Sequence, residues 1–270
     1  MNAVSIGPLL FSSERFAAIV GIAAFLLAGW LAGRFVDQKV PVWGWRALVV
    51  GLAGARLGHV AENWQSFAVE PWRVLYVWQG GFSLFWAILA IAILAAFQIR
   101  SARVFTAAVA TTALGMATWA VVLQLSLSGA TTPLPTFALE RLDGKMEALT
   151  AHQGGPMVIN LWATWCPPCL RELPLLAQSA VETPGVTFAF VNQGDDGATI
   201  QTYLAEQGIV LPDSYLDPTW RTSTHYQALG LPTTLFVNAD GRVAASHVGE
   251  ISPEQLADEL VSLGRLPDVQ

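Results

Sequence analysis

The chain has 270 residues, of which 53% are hydrophobic and only 13% charged, and a mean hydropathy of +0.47; this is too apolar for one ordinary soluble domain, and the length accommodates two. The charge is divided unevenly, with eight Lys/Arg against four Asp/Glu in residues 1–128 and six against sixteen in residues 129–270. A basic half therefore precedes an acidic one, and the acidic half carries no basic patch of the kind a nucleic-acid partner requires.

Four candidate membrane spans fill the first half. Residues 16–33, 82–98 and 104–127 are uncharged, and residues 42–61 are apolar except for Arg46 and Arg56. Each approaches the roughly 20 residues that cross a hydrocarbon core at a rise of about 1.5 Å per residue. Trp30, Trp43, Trp45, Trp64, Trp72, Trp78 and Trp86 cluster near the ends of these runs, as an interfacial belt does. The first run is longer than the apolar stretch of a signal peptide, its Glu14-Arg15 flank is not clearly basic, and further runs follow, so it reads as an uncleaved anchor.

Loop charges set the orientation. With the N-terminus outside, the inner loops hold Arg34, Lys39, Arg100 and Arg103, with Arg46 close to the same face, whereas the outer segments hold Arg15 and Arg73. The positive-inside rule favours this arrangement: a bacterial inner-membrane protein with four spans and both termini periplasmic. Arg56 is the odd residue, because an arginine within a span is costly and either snorkels to the interface or faces a binding site.

Ile6-Gly7-Pro8-Leu9, Gly54-Ala55-Arg56-Leu57-Gly58, Pro71 and Trp78-Gln79-Gly80-Gly81-Phe82-Ser83 resemble the front half of prolipoprotein diacylglyceryl transferase, over about residues 5–86. The resemblance implies an inner-membrane domain with phospholipid as its neighbour and gives Arg56 a possible lipid headgroup to hold. Where that family follows its glycine-rich stretch with a catalytic histidine, this chain has Leu84-Phe85-Trp86. A degenerate, transferase-like anchor is therefore expected for residues 1–128.

Small residues and prolines at 129–136 form a short linker, which keeps the following domain near the membrane face at about 3.3 to 3.6 Å per residue. Residues 137–270 then read as an α/β domain. Residues 137–150 form a hairpin that turns at Asp143-Gly144, residues 157–162 a buried strand, and residues from Cys166 onward a helix kinked at Pro174. Residues 186–191 are a second core strand, 199–207 and 222–229 are helices, and 233–237 and 242–247 form a hairpin about Asn238-Ala239-Asp240-Gly241. A helix over 253–263 closes the domain.

The chain's two cysteines, Cys166 and Cys169, lie in Trp162-Ala163-Thr164-Trp165-Cys166-Pro167-Pro168-Cys169 at the strand-to-helix junction. Cys166 falls near the N-cap with Pro167 in the first turn, where unpaired backbone N–H groups and the helix dipole favour a thiolate. Cys169, almost one turn further in, is placed to attack a mixed disulfide. Two other readings stay open. Zinc wants four ligands, and His152 and His225 lack the spacing to complete a set; a purely structural disulfide here closes a loop too small to stabilise much. His59 and His247 have no paired spacing either.

Trp-Ala-Thr-Trp-Cys-Pro-Pro-Cys, Glu172-Leu173-Pro174 and Gly230-Leu231-Pro232-Thr233-Thr234 together resemble the TlpA/ResA group of membrane-anchored thiol:disulfide oxidoreductases, over about residues 134–266. The resemblance implies a thioredoxin fold with the cysteines at the edge of a central sheet. It implies that Pro232 is a cis-proline beside the redox pair, with Leu231 and Thr233 flanking the backbone that meets substrate. It gives Glu172 a role in proton handling, the alternative being a solvated helix carboxylate, and it places Asn160 where many thioredoxins carry a buried acid. Trp165 is expected to shield the disulfide and meet substrate, the alternative being core packing.

The expected function is reduction of disulfides in extracytoplasmic proteins, with the Cys166–Cys169 pair as the redox group and no other cofactor or metal. Residues 1–128 contain no cysteine, so a separate DsbD/CcdA-type membrane donor is expected to recharge the pair. Two rivals are a lipid-modifying transferase with a redox appendage and a Cu(I) delivery protein using the two thiols.

Overall fold

The computed structural model describes residues 3–6, 9–127, 132–228 and 230–264. Most of the small-residue stretch 128–131, together with Gly7, Pro8 and Leu229 of the sequence motifs, lies outside the described residues. The described chain divides into two compact units: residues 13–127, and residues 3–12 grouped with 132–264. The first strands, β1 (Ala3–Ile6) and β2 (Leu9–Ser12), pair antiparallel. They group with the α/β unit, whereas the sequence places these residues at the start of the membrane domain.

The helical unit contains α1 (Ser13–Phe35), α2 (Lys39–Glu62), the short α3 (Trp64–Val69), two 3-10 turns at Pro71–Leu75 and Val77–Gln79, α4 (Leu84–Gln98) and α5 (Ala102–Leu127). A helix thus occupies each of the four apolar runs. Arg34 stands in the last turn of α1, where a cation suits the helix dipole. Within α1 and α5, Arg15–Phe35 and Ala102–Leu125 are long and apolar enough to cross a membrane, while α4 is shorter at 15 residues. No residue of α4 is buried although the helix is almost wholly apolar; Phe85, Ile88 and Ile93 are all more than half exposed. Such a continuous apolar surface on a helix fits a lipid environment better than water.

Helix α2 packs on α4 through glycines four residues apart. A Cβ on Gly58 would stand 2.0 Å from Cγ of Trp86, and one on Gly54 would stand 2.6 Å from Cβ of Ala90. These two positions let the backbones approach, the small-xxx-small arrangement that membrane helices use in place of hydrophobic driving force.

In the α/β unit, seven strands form one sheet in the order β4-β3-β7-β6-β5-β8-β9. They are β3 (Ala138–Arg141), β4 (Met146–Ala148), β5 (Met157–Trp162), β6 (Thr187–Gln193), β7 (Asp213–Asp217), β8 (Thr233–Val237) and β9 (Val243–Val248). β5 runs parallel to β6 and antiparallel to β8, and β6 runs parallel to β7. The helices are α6 (Pro167–Glu182), α7 (Gly197–Gln207), the short α8 (Arg221–His225) and α9 (Pro253–Gly264). Every residue of β5 is buried. Strand alternation sends Met157, Ile159 and Leu161 into one core with Tyr215 and Tyr226, and sends Val158 and Trp162 into a second core with Leu173, Ile200 and Leu256.

Helix α6 carries Pro174 inside it and runs on to Glu182. Two elements differ from the sequence expectation. Strand β7, an interior strand, has no counterpart in the sequence reading because Asp213, Ser214 and Asp217 break its apolar pattern. Helix α8 ends at His225, short of the expected 229, because Gln227 takes a positive φ of 50°. The cysteines, finally, follow the C-terminal end of β5, an interior strand of the sheet.

Gly58→Ala is expected to lower the thermal unfolding midpoint of the detergent-solubilised chain, by an overpacking cost of about 1–3 kcal/mol. Gly29, with nothing within 4 Å of its Cβ position, supplies the control; equal midpoints for Gly29→Ala and Gly58→Ala would show that Trp86 moves freely out of the way.

Candidate active site

The end of β5 and the start of α6 fix the redox pair. Cys166 is the N-cap of α6 with extended backbone (φ −101°, ψ 97°), and Pro167 occupies the first turn, where a missing N–H costs nothing. Cys166 and Cys169 are joined as a disulfide with S–S 2.01 Å and Cα–Cα 5.3 Å. The Cys169 N–H donates to Sγ of Cys166 at 3.3 Å, so the sulfur takes the place of a capping oxygen. Cys166 is 4% exposed and Cys169 fully buried, which leaves Cys166 as the sulfur nearer to solvent.

Glu172, one turn beyond Cys169, is 2% exposed, which removes the solvated-carboxylate alternative. Its Oε1 accepts from Nδ2 of Asn160 at 2.8 Å, and its Oε2 accepts from the Ile251 N–H at 2.8 Å. Asn160 Nδ2 also donates to Oγ1 of Thr234 at 3.1 Å, tying α6 to β5, β8 and the start of the Ile251 segment. Burial pushes the Glu172 carboxyl up to about 8, against the two hydrogen bonds, which favour the charged form. The neighbouring Arg171 pairs with Glu250 at 2.6 Å and so is turned to another carboxylate.

Leu231–Pro232 is a cis peptide bond. Pro232 is buried, its carbonyl accepts from the Gly249 N–H at 2.9 Å, and Leu231 packs against the same core as both cysteines. Thr233 opens β8 directly opposite Leu161 of β5 and donates its hydroxyl to the Gly230 carbonyl at 2.7 Å. The residues picked out at 231–233 therefore reach the strand end that delivers the cysteines.

Trp165 is 58% exposed and stacks on Trp220, ring centroids 5.9 Å apart. Trp220 was not legible in the sequence as part of the site, since no periodicity links it to residue 165. Nor was Asp195, whose Oδ2 accepts from the Thr164 N–H and from Nδ2 of Asn192, both at 2.8 Å.

Arg56 lies in the helical unit. It is 8% exposed, and its guanidinium donates to the carbonyls of Arg73, Val74, Tyr76, Gly80 and Gly81 at 2.6 to 3.4 Å. It also lies over the Phe67 and Phe82 rings. These contacts to backbone carbonyls pin the loop between α3 and α4. Among the described residues no group of three or more His, Cys, Asp or Glu is placed to hold a metal ion.

Unfolded, the Glu172 carboxyl has its ordinary value near 4.5; folded, it is near 8. Between those values the folded chain holds a proton that the unfolded chain has released, so stability falls as pH rises across the window. At about 1.36 kcal/mol per pH unit the fall approaches about 5 kcal/mol at most. Glu172→Gln should flatten it, because a flip of the Asn160 amide pairs the new NH2 with Asn160 Oδ1, an atom otherwise buried without a partner. Denaturant unfolding at pH 5 and pH 9 measures this; an unchanged slope in the variant would assign the pH dependence to another group.

Comparison with known proteins gives two family matches: Redoxin over residues 129–261 and prolipoprotein diacylglyceryl transferase over residues 4–153. They overlap at residues 129–153, of which the described part carries β3 and β4, strands of the seven-stranded sheet. The chain is 29% identical over 126 residues to thiol-disulfide oxidoreductase ResA of Bacillus subtilis (strain 168), covering 46% of this chain and 70% of that one. It is 30% identical over 134 residues to thiol:disulfide interchange protein DsbE of Escherichia coli (strain K12), covering 48% and 71%. A solved structure of a secreted Mycobacterium tuberculosis disulfide oxidoreductase is 25% identical, covers 47% of this chain and 96% of its own, and gives a TM-score of 0.43. The transferase-family match and the two long apolar helices point to membrane association of the first half. The chain belongs, through its thioredoxin-like α/β half, to the ResA/DsbE family of thiol:disulfide oxidoreductases, and through its helical half to the prolipoprotein diacylglyceryl transferase family.

Proposed function

We propose that this protein is a membrane-anchored, periplasm-facing reductase of disulfides in extracytoplasmic proteins. Residues up to 128 form the anchor domain, 129–136 a linker and 137–270 the redox domain. The observation that carries the reading is the Cys166–Cys169 pair, the chain's only cysteines, capping a helix with one sulfur slightly exposed and the other buried.

In the reduced protein, the Cys166 thiolate attacks one sulfur of a client disulfide, forming a mixed disulfide and releasing a client thiolate. The Cys169 thiolate then attacks Cys166 Sγ, the second client thiolate leaves, and two electrons have passed to the client. The redox group is the cysteine pair itself. Glu172, with a carboxyl near 8, is suited to exchange the proton that Cys169 must lose before it attacks. Leu231, Pro232 and Thr233 offer an extended backbone against which a client segment lies, and Trp165 meets the same segment. Residues 1–128 have no thiol, so a DsbD/CcdA-type donor in the membrane returns the two electrons.

Cys169→Ser should accumulate mixed disulfides with client proteins, and Cys166→Ser should trap none and lose exchange altogether; non-reducing electrophoresis separates the two. A reduction potential near that of thioredoxin, about −270 mV, supports the reductase direction, whereas a value near about −120 mV would make the pair an oxidant.

The anchor is proposed to cross the membrane four times, through α1, α2, α4 and α5, with both termini periplasmic. Loop charge supports it: Arg34, Lys39, Arg100 and Arg103 collect at the two inner turns. Alkaline phosphatase fused after Glu70 or at the C-terminus should be active, and fusions after Asp37 or Arg100 inactive. Two spans alone, α1 and α5, would leave the Glu70 fusion inactive.

The transferase-family match favours a second reading, in which Arg56 holds a lipid headgroup and the helical half acts on diacylglyceryl lipid. Its signature is diacylglyceryl transfer that survives Cys166→Ser and is lost in Arg56→Ala. The occupation of the Arg56 donors by loop carbonyls weighs against it.

A further inference from the structure

We infer that Trp220 and Trp165 together form a seat for the side chain that flanks the attacked cysteine of a client, and that this seat selects clients with an aromatic or large aliphatic residue there. The inference rests on the disulfide-exchange reading above and names the chemistry of its substrate.

The pair is held rigidly in solvent. Trp165 is 58% and Trp220 38% exposed, and their rings stack at 5.9 Å with planes 30° apart. Trp220 adopts φ 59°, ψ 30°, a left-handed conformation rare for a residue with a Cβ, and rarer for a bulky one. Its surroundings enforce that conformation. The side chain of Asp217, 1% exposed, accepts from the N–H groups of Arg221 and Thr222 at 2.9 and 2.7 Å and from Nε2 of Gln193 at 3.1 Å. Ser223 Oγ donates to the other end of Gln193 at 2.6 Å, and the Trp220 N–H donates to the Asp217 carbonyl at 3.2 Å.

One turn supports both rings. Gly194, at φ 96°, lets the Trp220 indole close in: a Cβ there would stand 3.1 Å from Nε1. The next residue, Asp195, holds the Thr164 N–H beside Trp165. The turn after β6 thus fixes both sides of the stack. A backbone outlier kept at a tryptophan that stays 38% exposed and stacks on the neighbour of Cys166 costs stability, and such strain persists where a site requires it.

Geometry identifies the occupant. A client sulfur must reach Cys166, the residue next to Trp165, and an extended chain advances about 3.3 to 3.6 Å per residue. A client residue one or two positions from its cysteine thus stands about 3.3 to 7.2 Å along the chain from the attacked sulfur, a reach that carries its side chain to Trp165, the neighbour of Cys166, and to the Trp220 ring stacked on it. Stacked or edge-on aromatic contacts, and apolar contacts with tryptophan, are what such a seat rewards.

The test uses the full chain in detergent, reduced, with two peptides that each carry one intrachain disulfide and differ only in having Phe or Gly two positions from the first cysteine. Oxidised glutathione, with neither an aromatic nor a large aliphatic side chain beside its cysteine, serves as the reference substrate. Trp220→Gly removes the ring and keeps the backbone, since glycine takes φ 59° at no steric cost. The wild type should reduce the Phe peptide about five- to tenfold faster than the Gly peptide. Trp220→Gly should erase that preference once each peptide rate is divided by the same variant's rate with glutathione; Trp220→Asn, also tolerant of the left-handed region, should do the same. A preference that survives in both variants, or is absent from the wild type while glutathione exchange proceeds, overturns the inference. A wild type that exchanges with neither peptide nor glutathione overturns the oxidoreductase reading itself, and the seat falls with it.

Discussion

A strand with no exposed face is what the active site hangs from. β5 lies between β6 and β8, its six residues are all buried, and its alternating side chains enter two separate cores. Neither register slip nor rotation is open to such a strand, because either would drive Asn160 or Trp162 into the wrong core. Its C-terminal end is therefore a fixed point. Helix α6 starts four residues later, with Cys166 as its cap, and the helix N-terminus offers its unpaired N–H groups to whatever charge the sulfur carries. The opposite flank is set the same way, since β8 pairs Thr233 with Leu161 and so brings the Leu231–Pro232 bond to that end of the strand.

The same packing makes Glu172 anomalous. Asn160 is the one polar side chain on β5, and it meets Glu172 from below while the Ile251 N–H meets it from the side. Two neutral donors do not offset the desolvation of a carboxylate, so the group keeps its proton to about 8. A buried acid that costs stability when ionised, set one turn from the buried sulfur of a redox pair, matches the chemistry of exchange better than it matches the needs of the core.

How much of this the sequence discloses depends on whether a residue's partner is local. β5 and α6 are legible because β-branched and apolar residues, Pro167 and the two cysteines follow one another along the chain. Glu172 shares its inward face with Cys169, Leu173 and Leu176, so helical spacing alone hints at its burial; a solvated carboxylate stays open as the alternative in the sequence because carboxylates are usually exposed. β7 is hidden because Asp213 pairs with Arg141 and Asp217 caps α8, tasks that place polar residues in an interior strand. The Trp165–Trp220 stack bridges two separate loops, and no periodicity links them. Arg56 stands out in the sequence as an arginine in an apolar run, but its partners are backbone carbonyls, which every residue has, and so they leave no mark on the sequence.

The two halves divide their physics as they divide their composition. The helical half spends its buried Arg56 on its own loop and its glycines on close helix packing, while many of its large apolar side chains face outward. The α/β half buries its apolar residues, carries the acidic charge and contains both thiols. Disulfide exchange conserves electrons: each client reduced leaves Cys166–Cys169 oxidised, and a half with no cysteine has no thiol with which to reverse that. Under the proposed function, an anchor would have a physical purpose beyond retention: it would hold the oxidised disulfide in the plane where a membrane-embedded thiol donor diffuses, and so raise the effective concentration for the recharging step over that of a freely diffusing domain.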